Sequence, residues 1–131
     1  MVKSLRIVLD TNILVSAFFW EGNESKLLRK CKERHYSLIL SLEILDELEK
    51  VLKLKFKVPK NKVHDYIKEL LLFSEIVFPP RDLDIIKDDP SDNVILETAL
   101  IGNANILVTG NKHLLKQKKY KKVRIKRATE I

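Results

Sequence analysis

Residues 5–9 are apolar apart from Arg6, include the β-branched Ile7 and Val8, and run directly into Asp10-Thr11-Asn12, a pattern that predicts a buried strand feeding a helix-capping turn. Asp10 then lies at the carboxyl end of that strand. Residues 13–20 are apolar almost throughout, as expected of a helix lying across a sheet, and residues 24–35 predict a second, more polar helix. Residues 37–40 read as the next short strand. Ser41 is placed to cap a helix over 42–54, in which Ile44, Leu45, Leu48, Val51 and Leu52 form one apolar stripe. From Lys53 to Val58 charged and apolar residues alternate, which fits both a strand and a helix end, and Pro59 closes the stretch. Residues 61–73 predict another amphipathic helix, 75–78 a strand, and Pro79-Pro80 a break. Asp89-Pro90 pairs a cap with proline at the first helical position, so a helix is expected over 90–101, ended by Gly102. Residues 106–108 form a strand with the turn Thr109-Gly110-Asn111 at its carboxyl end, and 123–126 form the last strand.

Helices alternating with short apolar strands predict an α/β fold: a three-layer α/β/α sandwich around an open, mostly parallel sheet of Rossmann-like topology. In such sheets ligands bind beyond the carboxyl ends of the strands, where strand order reverses. Asp10 and Asn111 are both expected on that edge. With 131 residues, 45% of them hydrophobic, the chain has the size and apolar content of a single domain, 1–131, with a proper core. No repeat or low-complexity linker interrupts it.

Charge changes the picture more than composition does. The net charge is +7, but nine lysines and arginines and no acid fall between Lys112 and Arg127, leaving the remainder at −2. Five aspartates lie between Asp82 and Asp92 with Lys87 as the one cation among them. The apolar stretches are broken well before the ~18 residues that a bilayer span requires, and the amino-terminal stretch, with the single early lysine Lys3, lacks a leader-type cleavage pattern. A cytoplasmic protein without membrane segments is expected. Cys31 is the only cysteine, which excludes an intrachain disulfide and a cysteine-rich metal site; a half-buried helix position is expected for it. Phe18, Phe19 and Trp20 are expected in the core, with a contact between two copies as the alternative.

Three acids carry the chemical expectation. Asp10 caps a helix at a strand end, and Asp92 falls in the first turn of another helix, where the dipole favours an acid. Glu47 is more informative. With Ile44 at 0°, a helical step of about 100° places Glu47 near −60°, at the border of the buried stripe. It has Glu43 four residues behind, Val51 four ahead, and only Lys50 as a cation one turn on. Three carboxylates converging on one crevice repel each other unless something positive sits between them. Oxygen-only ligands select a hard cation, so Mg²⁺ or Mn²⁺ is expected. His35, His64 and His113 lack metal-ligand spacing and are assigned surface or packing roles.

Four ordered motifs resemble the PIN-domain family, in particular its prokaryotic toxin-antitoxin, VapC-like branch. They are the run Ile7-Val8-Leu9-Asp10-Thr11-Asn12 with the apolar helix after it, the Glu47 helix from Ser41 to Leu52, the stretch Asp89-Pro90-Ser91-Asp92-Asn93, and Ile106-Leu107-Val108-Thr109-Gly110-Asn111 followed by Leu114-Leu115. The likeness extends over nearly the whole chain. It implies a divalent-metal-dependent endoribonuclease acting as the toxin of a toxin-antitoxin pair, with Asp10, Glu47 and Asp92 as catalytic metal ligands. Asn12, Asp89, Thr109 and Asn111 would support them. RNA as substrate, a small antitoxin protein as partner and a homodimer are implied in the same way. Lys116, Lys118, Lys119, Lys121 and Lys122 are expected to contact RNA phosphates.

The chain departs from the family at Asn111, where an acid is usual, so a second metal ion is expected to bind weakly. The alternative reading is a catalytically weak or inert module that keeps the PIN shape and binds RNA or protein. A haloacid dehalogenase-type phosphatase needs an acid two residues after the first aspartate, where Asn12 stands. A phosphoryl-receiver domain needs its aspartate at the end of a middle strand, where Ser41 stands.

Overall fold

The computed structural model describes residues 5–87 and 89–131; Lys3 and Asp88, which entered the charge pattern above, lie outside them. Strand β1 (Leu5–Leu9) leads into α1 (Thr11–Phe19), α2 (Asn23–Lys32), β2 (Tyr36–Ser41), α3 (Leu42–Lys50), α4 (Lys60–Phe73) and β3 (Ser74–Val77). Then come α5 (Pro90–Ile101), β4 (Ile106–Val108), the short α6 (Lys112–Leu115), β5 (Lys119–Tyr120) and β6 (Val123–Lys126). The strands form one sheet in the order β3-β2-β1-β4-β6-β5. All neighbours pair in parallel except β5, which runs antiparallel to β6.

Strands buried on both faces need apolar residues at every position rather than at alternate ones. Ile7, Val8, Leu9, Leu38, Ile39, Leu40, Leu107 and Val108 are accordingly all buried, so helices cover both sides of the sheet centre. The expected open α/β sheet is the one that forms. The chain steps from β1 to β2 on one side and returns to β4 on the other, which makes the β1–β4 boundary the switch point.

Several boundaries differ for identifiable reasons. Asp10 caps α1 directly, so that helix starts at Thr11 rather than at residue 13. α2 stops at Lys32 because Arg34 turns left-handed at φ 68° and the chain goes straight into β2. The ambiguous stretch 53–58 is a helix end: a turn of π-helix, Val51–Lys55, prolongs α3, Phe56 N–H donates to the Val51 carbonyl at 3.2 Å, and buried Leu52 keeps the turn docked. Neither β5 nor α6 was expected, since two and four residues leave no periodicity to read.

Of the aromatic trio, only Phe18 packs inward, half-buried with its ring 4.9 Å from that of Tyr66. Phe19 and Trp20 are exposed at the end of α1, with Phe19 against Phe56. Cys31 is fully buried rather than half-buried, and burial pushes its thiol up to about 12. Among the described residues no helix is long and apolar enough to cross a membrane.

Gly102 ends α5, as expected, but the left-handed residue is Asn103 at φ 52°. The glycine is required by close approach instead: a methyl placed there would lie 2.5 Å from Ile39 Cγ2 in the central strand β2. Gly102→Ala should therefore destabilise the protein by about 1–3 kcal/mol through overpacking. Urea unfolding checks this, and an unchanged midpoint would mean that α5 is free to shift on the sheet.

Candidate active site

Asp10 and Thr109 stand at the carboxyl ends of the adjacent strands β1 and β4. Asp10 N–H donates to the Val108 carbonyl at 3.0 Å, and Thr109 N–H to the Lys126 carbonyl at 3.0 Å, so the sheet ladder itself fixes both residues. The Asp10 carboxylate is buried and doubly held. One oxygen accepts from Thr11 N–H at 2.7 Å, the other from the Thr109 hydroxyl at 2.6 Å. Burial raises its pKa above the usual carboxylate range; the two hydrogen bonds oppose this, and the charge of Asp89 adds to it.

Asp92 reaches the same edge from the first turn of α5 and is also buried. Its Oδ1 accepts from Asn111 Nδ2 at 3.2 Å, while its Oδ2 is buried without any hydrogen-bond partner. Burial pushes its pKa up to about 6, with Asp89, Asp10 and Glu47 contributing in the same direction and His113 against it. Glu47, on α3, is exposed, contrary to the expectation of partial burial. Its pKa is nonetheless raised, chiefly by desolvation and then by the charges of Asp10 and Asp89. Lys50, the nearest cation along its helix, pairs with Asp46 at 3.4 Å instead. The three expected acids therefore share one electrostatic neighbourhood, and Asp89 makes a fourth.

Asp89 also caps α5, accepting from Ser91 N–H at 3.1 Å and from its hydroxyl at 2.7 Å. Asn111 is oriented by chemistry that only one rotamer of its amide satisfies. Its Oδ1 accepts from His113 N–H at 2.8 Å and Leu114 N–H at 3.4 Å, capping α6, so its NH₂ must face Asp92. The amide oxygen of Asn111 thus points at a helix end rather than toward the acids. Asn12 is exposed in the first turn of α1 and makes no hydrogen bond to these acids among the described residues.

Three contributors were not singled out from the sequence in these roles. The buried Glu97 accepts from the backbone N–H groups of Arg81, Asp82 and Leu83 at 2.6, 3.0 and 3.3 Å. Asn93 accepts from Ile85 and Ile86 N–H at 2.8 and 2.7 Å and donates back to the Ile86 carbonyl at 2.8 Å. Together they fasten the acidic loop before Asp89 along α5. An acid on the inner face of an otherwise apolar helix was the available signal for Glu97. His113 was assigned a surface or packing role, yet its charge acts on Asp92; its place two residues after Asn111 was the clue.

No group of three or more His, Cys, Asp or Glu among the described residues forms a ready ligand set for a metal ion. Like charges hold such side chains apart, and drawing them together calls for a cation. The donor set consists of oxygen alone and contains a buried carboxylate oxygen lacking a partner, so it fits a hard divalent ion.

These features define an α/β protein with an open, mostly parallel sheet and acidic residues gathered near its switch point. The chain belongs to the PIN-domain family, whose model matches residues 6–113. PIN domains are generally nucleases that use divalent metals. The fold is similar to that in the crystal structure of VapBC2 from Rickettsia felis bound to a DNA fragment from their promoter. There the identity is 22% and the TM-score 0.64, covering 92% of this chain and 97% of that one. A comparison with curated proteins gives no match.

A folded-state pKa of about 6 for Asp92, against an ordinary 3.8, means that the neutral acid is favoured in the fold. Its contribution to stability is complete below the ordinary value and is lost as pH rises through about 6. In EDTA, Asp92→Asn should therefore gain in melting temperature relative to the wild type between about pH 4 and pH 7, with a constant difference above that. A constant difference across the whole range would remove Asp92 from the crowded site.

Proposed function

We propose that the chain is a metal-dependent endoribonuclease and the toxin of a toxin-antitoxin pair. The observation that carries the catalytic reading is the buried Asp92 oxygen without a partner, facing a neighbourhood in which Asp10, Glu47 and Asp92 all have raised pKa values. Mg²⁺ or Mn²⁺ held there would supply the positive charge that binds a phosphodiester and acidifies a water. Asp10, Glu47 and Asp92 would hold it, with Asp89 as a nearby fourth charge. Thr109 fixes the Asp10 carboxylate, and Asn111 fixes that of Asp92. The antitoxin reading is supported by the similarity of the fold to VapBC2, described bound to a DNA fragment from their promoter, together with the family resemblance. The homodimer is carried over from the family resemblance alone.

Asn111 is the one observation favouring a weakly cleaving RNA-binding module. Its amide brings a hydrogen-bond donor where an acid would bring charge, so we assign a single cation site. A binder alone would have no use for an unpartnered buried carboxylate oxygen, which costs about 1–3 kcal/mol.

Two experiments test this reading. Purified protein should cleave single-stranded RNA with Mn²⁺ and stop in excess EDTA, and Asp10→Asn should lose cleavage by at least two orders of magnitude while remaining folded. Undiminished cleavage in EDTA would sink the metal mechanism. Asn111→Asp keeps one oxygen for the α6 cap but sets an acceptor opposite Asp92 Oδ1, 3.2 Å from the present amide nitrogen. Metal-free, that variant should melt lower than the wild type, and calorimetric titration should show Mn²⁺ binding about tenfold tighter, roughly 1.4 kcal/mol. Unchanged or weaker affinity would remove position 111 from the site.

A further inference from the structure

The family match ends at His113, yet the most concentrated positive charge in the chain comes after it. The structure gathers that charge into a groove of about 690 Å³ between α6, β6 and the last turn of the chain. Lys112, Lys116, Lys119, Arg124, Lys126 and Arg127 line it, over a floor that includes Leu115 and Ile125, with Glu130 as its one acid. Among the described residues none of these cations makes an ion pair, so their field is not neutralised from within. The groove is also joined to the acid cluster. Thr109, which holds Asp10, donates its N–H to the Lys126 carbonyl, and Asn111, which holds Asp92, caps the helix that Lys112 opens.

Resting on the ribonuclease reading, we infer that this groove is the track along which the single-stranded RNA substrate leaves the catalytic edge, held by its phosphates. A row of unpaired cations matches a polyanion. The absence of an aromatic ring on the lining makes the contact a backbone one, without stacking and with little preference among bases. The inference also divides the lysines singled out from the sequence. Lys116, Lys118 and Lys119 line the groove, whereas Lys121 and Lys122 form the β5–β6 turn and face another hollow beside Asn103 and Asn105, at the amino ends of the strands.

The test is the salt dependence of binding of a labelled 12-nucleotide single-stranded RNA of mixed sequence, measured in EDTA. Each phosphate contact on a single strand contributes a slope of about 0.7. The triple variant Lys116→Gln, Lys119→Gln, Arg124→Gln should flatten the slope by about two units. An independent pair, Lys112→Gln with Arg127→Gln, should flatten it by about 1.4. Lys121→Gln with Lys122→Gln should leave it as in the wild type. All these residues are exposed, so the variants should melt like the parent. An unaltered slope in both groove variants overturns the track, as does an equal loss in the turn variant. Tighter binding of a duplex DNA of the same length, weakened by the same groove variants, would reassign the surface to DNA and overturn it too. Because cleavage is not read in EDTA, the two readings fail separately. A chain that binds through the groove but never cleaves keeps the track and loses the nuclease, while one that cleaves with unaltered slopes does the reverse.

Discussion

Carboxylates gathered at one sheet edge repel each other, and the local architecture follows from how each is held without its neighbours' help. Asp10 takes donors from its own helix and from Thr109 on the adjacent strand. Asp92 takes one from Asn111 and leaves its second oxygen unmet. Asp89 is absorbed as the cap of α5. The strands supply rigidity because they are buried on both faces, so the positions of Asp10 and Thr109 are set by ladder hydrogen bonds rather than by loop conformation. Burial first, and the repulsion that remains second, raise the pKa values of Asp10, Glu47 and Asp92.

α5 does more than carry Asp92. Its Glu97 and Asn93 side chains take up the backbone donors of residues 81–83 and 85–86, and Asn93 also donates to the Ile86 carbonyl, so a loop rich in aspartate is pinned against a helix. Buried acceptors of this kind are satisfied only if loop and helix keep their register. Gly102 extends the same constraint to the other end of α5, where close contact with Ile39 sets the helix tight on the sheet. The chain thus separates its charges: acids along the catalytic edge, and cations in a neighbouring groove that shares Thr109 and Asn111 as its border. On the proposed reading, the groove would attract a polyanionic strand, and the acids would meet it only with a cation screening their charge.

By itself the sequence determined the class of fold and brought out Asp10, Glu47 and Asp92 as candidate acids. The continuous apolar strands, the Ser41 and Asp89 caps and the proline at the start of α5 are local signals, fixed by solvation and backbone geometry, and all of them hold in the fold. Asp10 and Asn111 could be placed on the catalytic edge because the carboxyl ends of parallel strands meet there whatever the details. Distances, partners and burial were decided only by tertiary structure, since each depends on residues far apart in the chain. Glu47 borders an apolar stripe but projects into solvent. The Asn111 amide points its oxygen away from the acids because α6, too short to show periodicity, needs a cap. Glu97 has a role only because the loop 16 residues before it folds back onto it. The nine-cation stretch from Lys112 to Arg127 was plain in the sequence, but only the antiparallel pairing of Lys119 with Arg124 and of Tyr120 with Val123 divided it, because Lys119 lies on the strand that borders the groove while Lys121 and Lys122 form the turn and line another hollow.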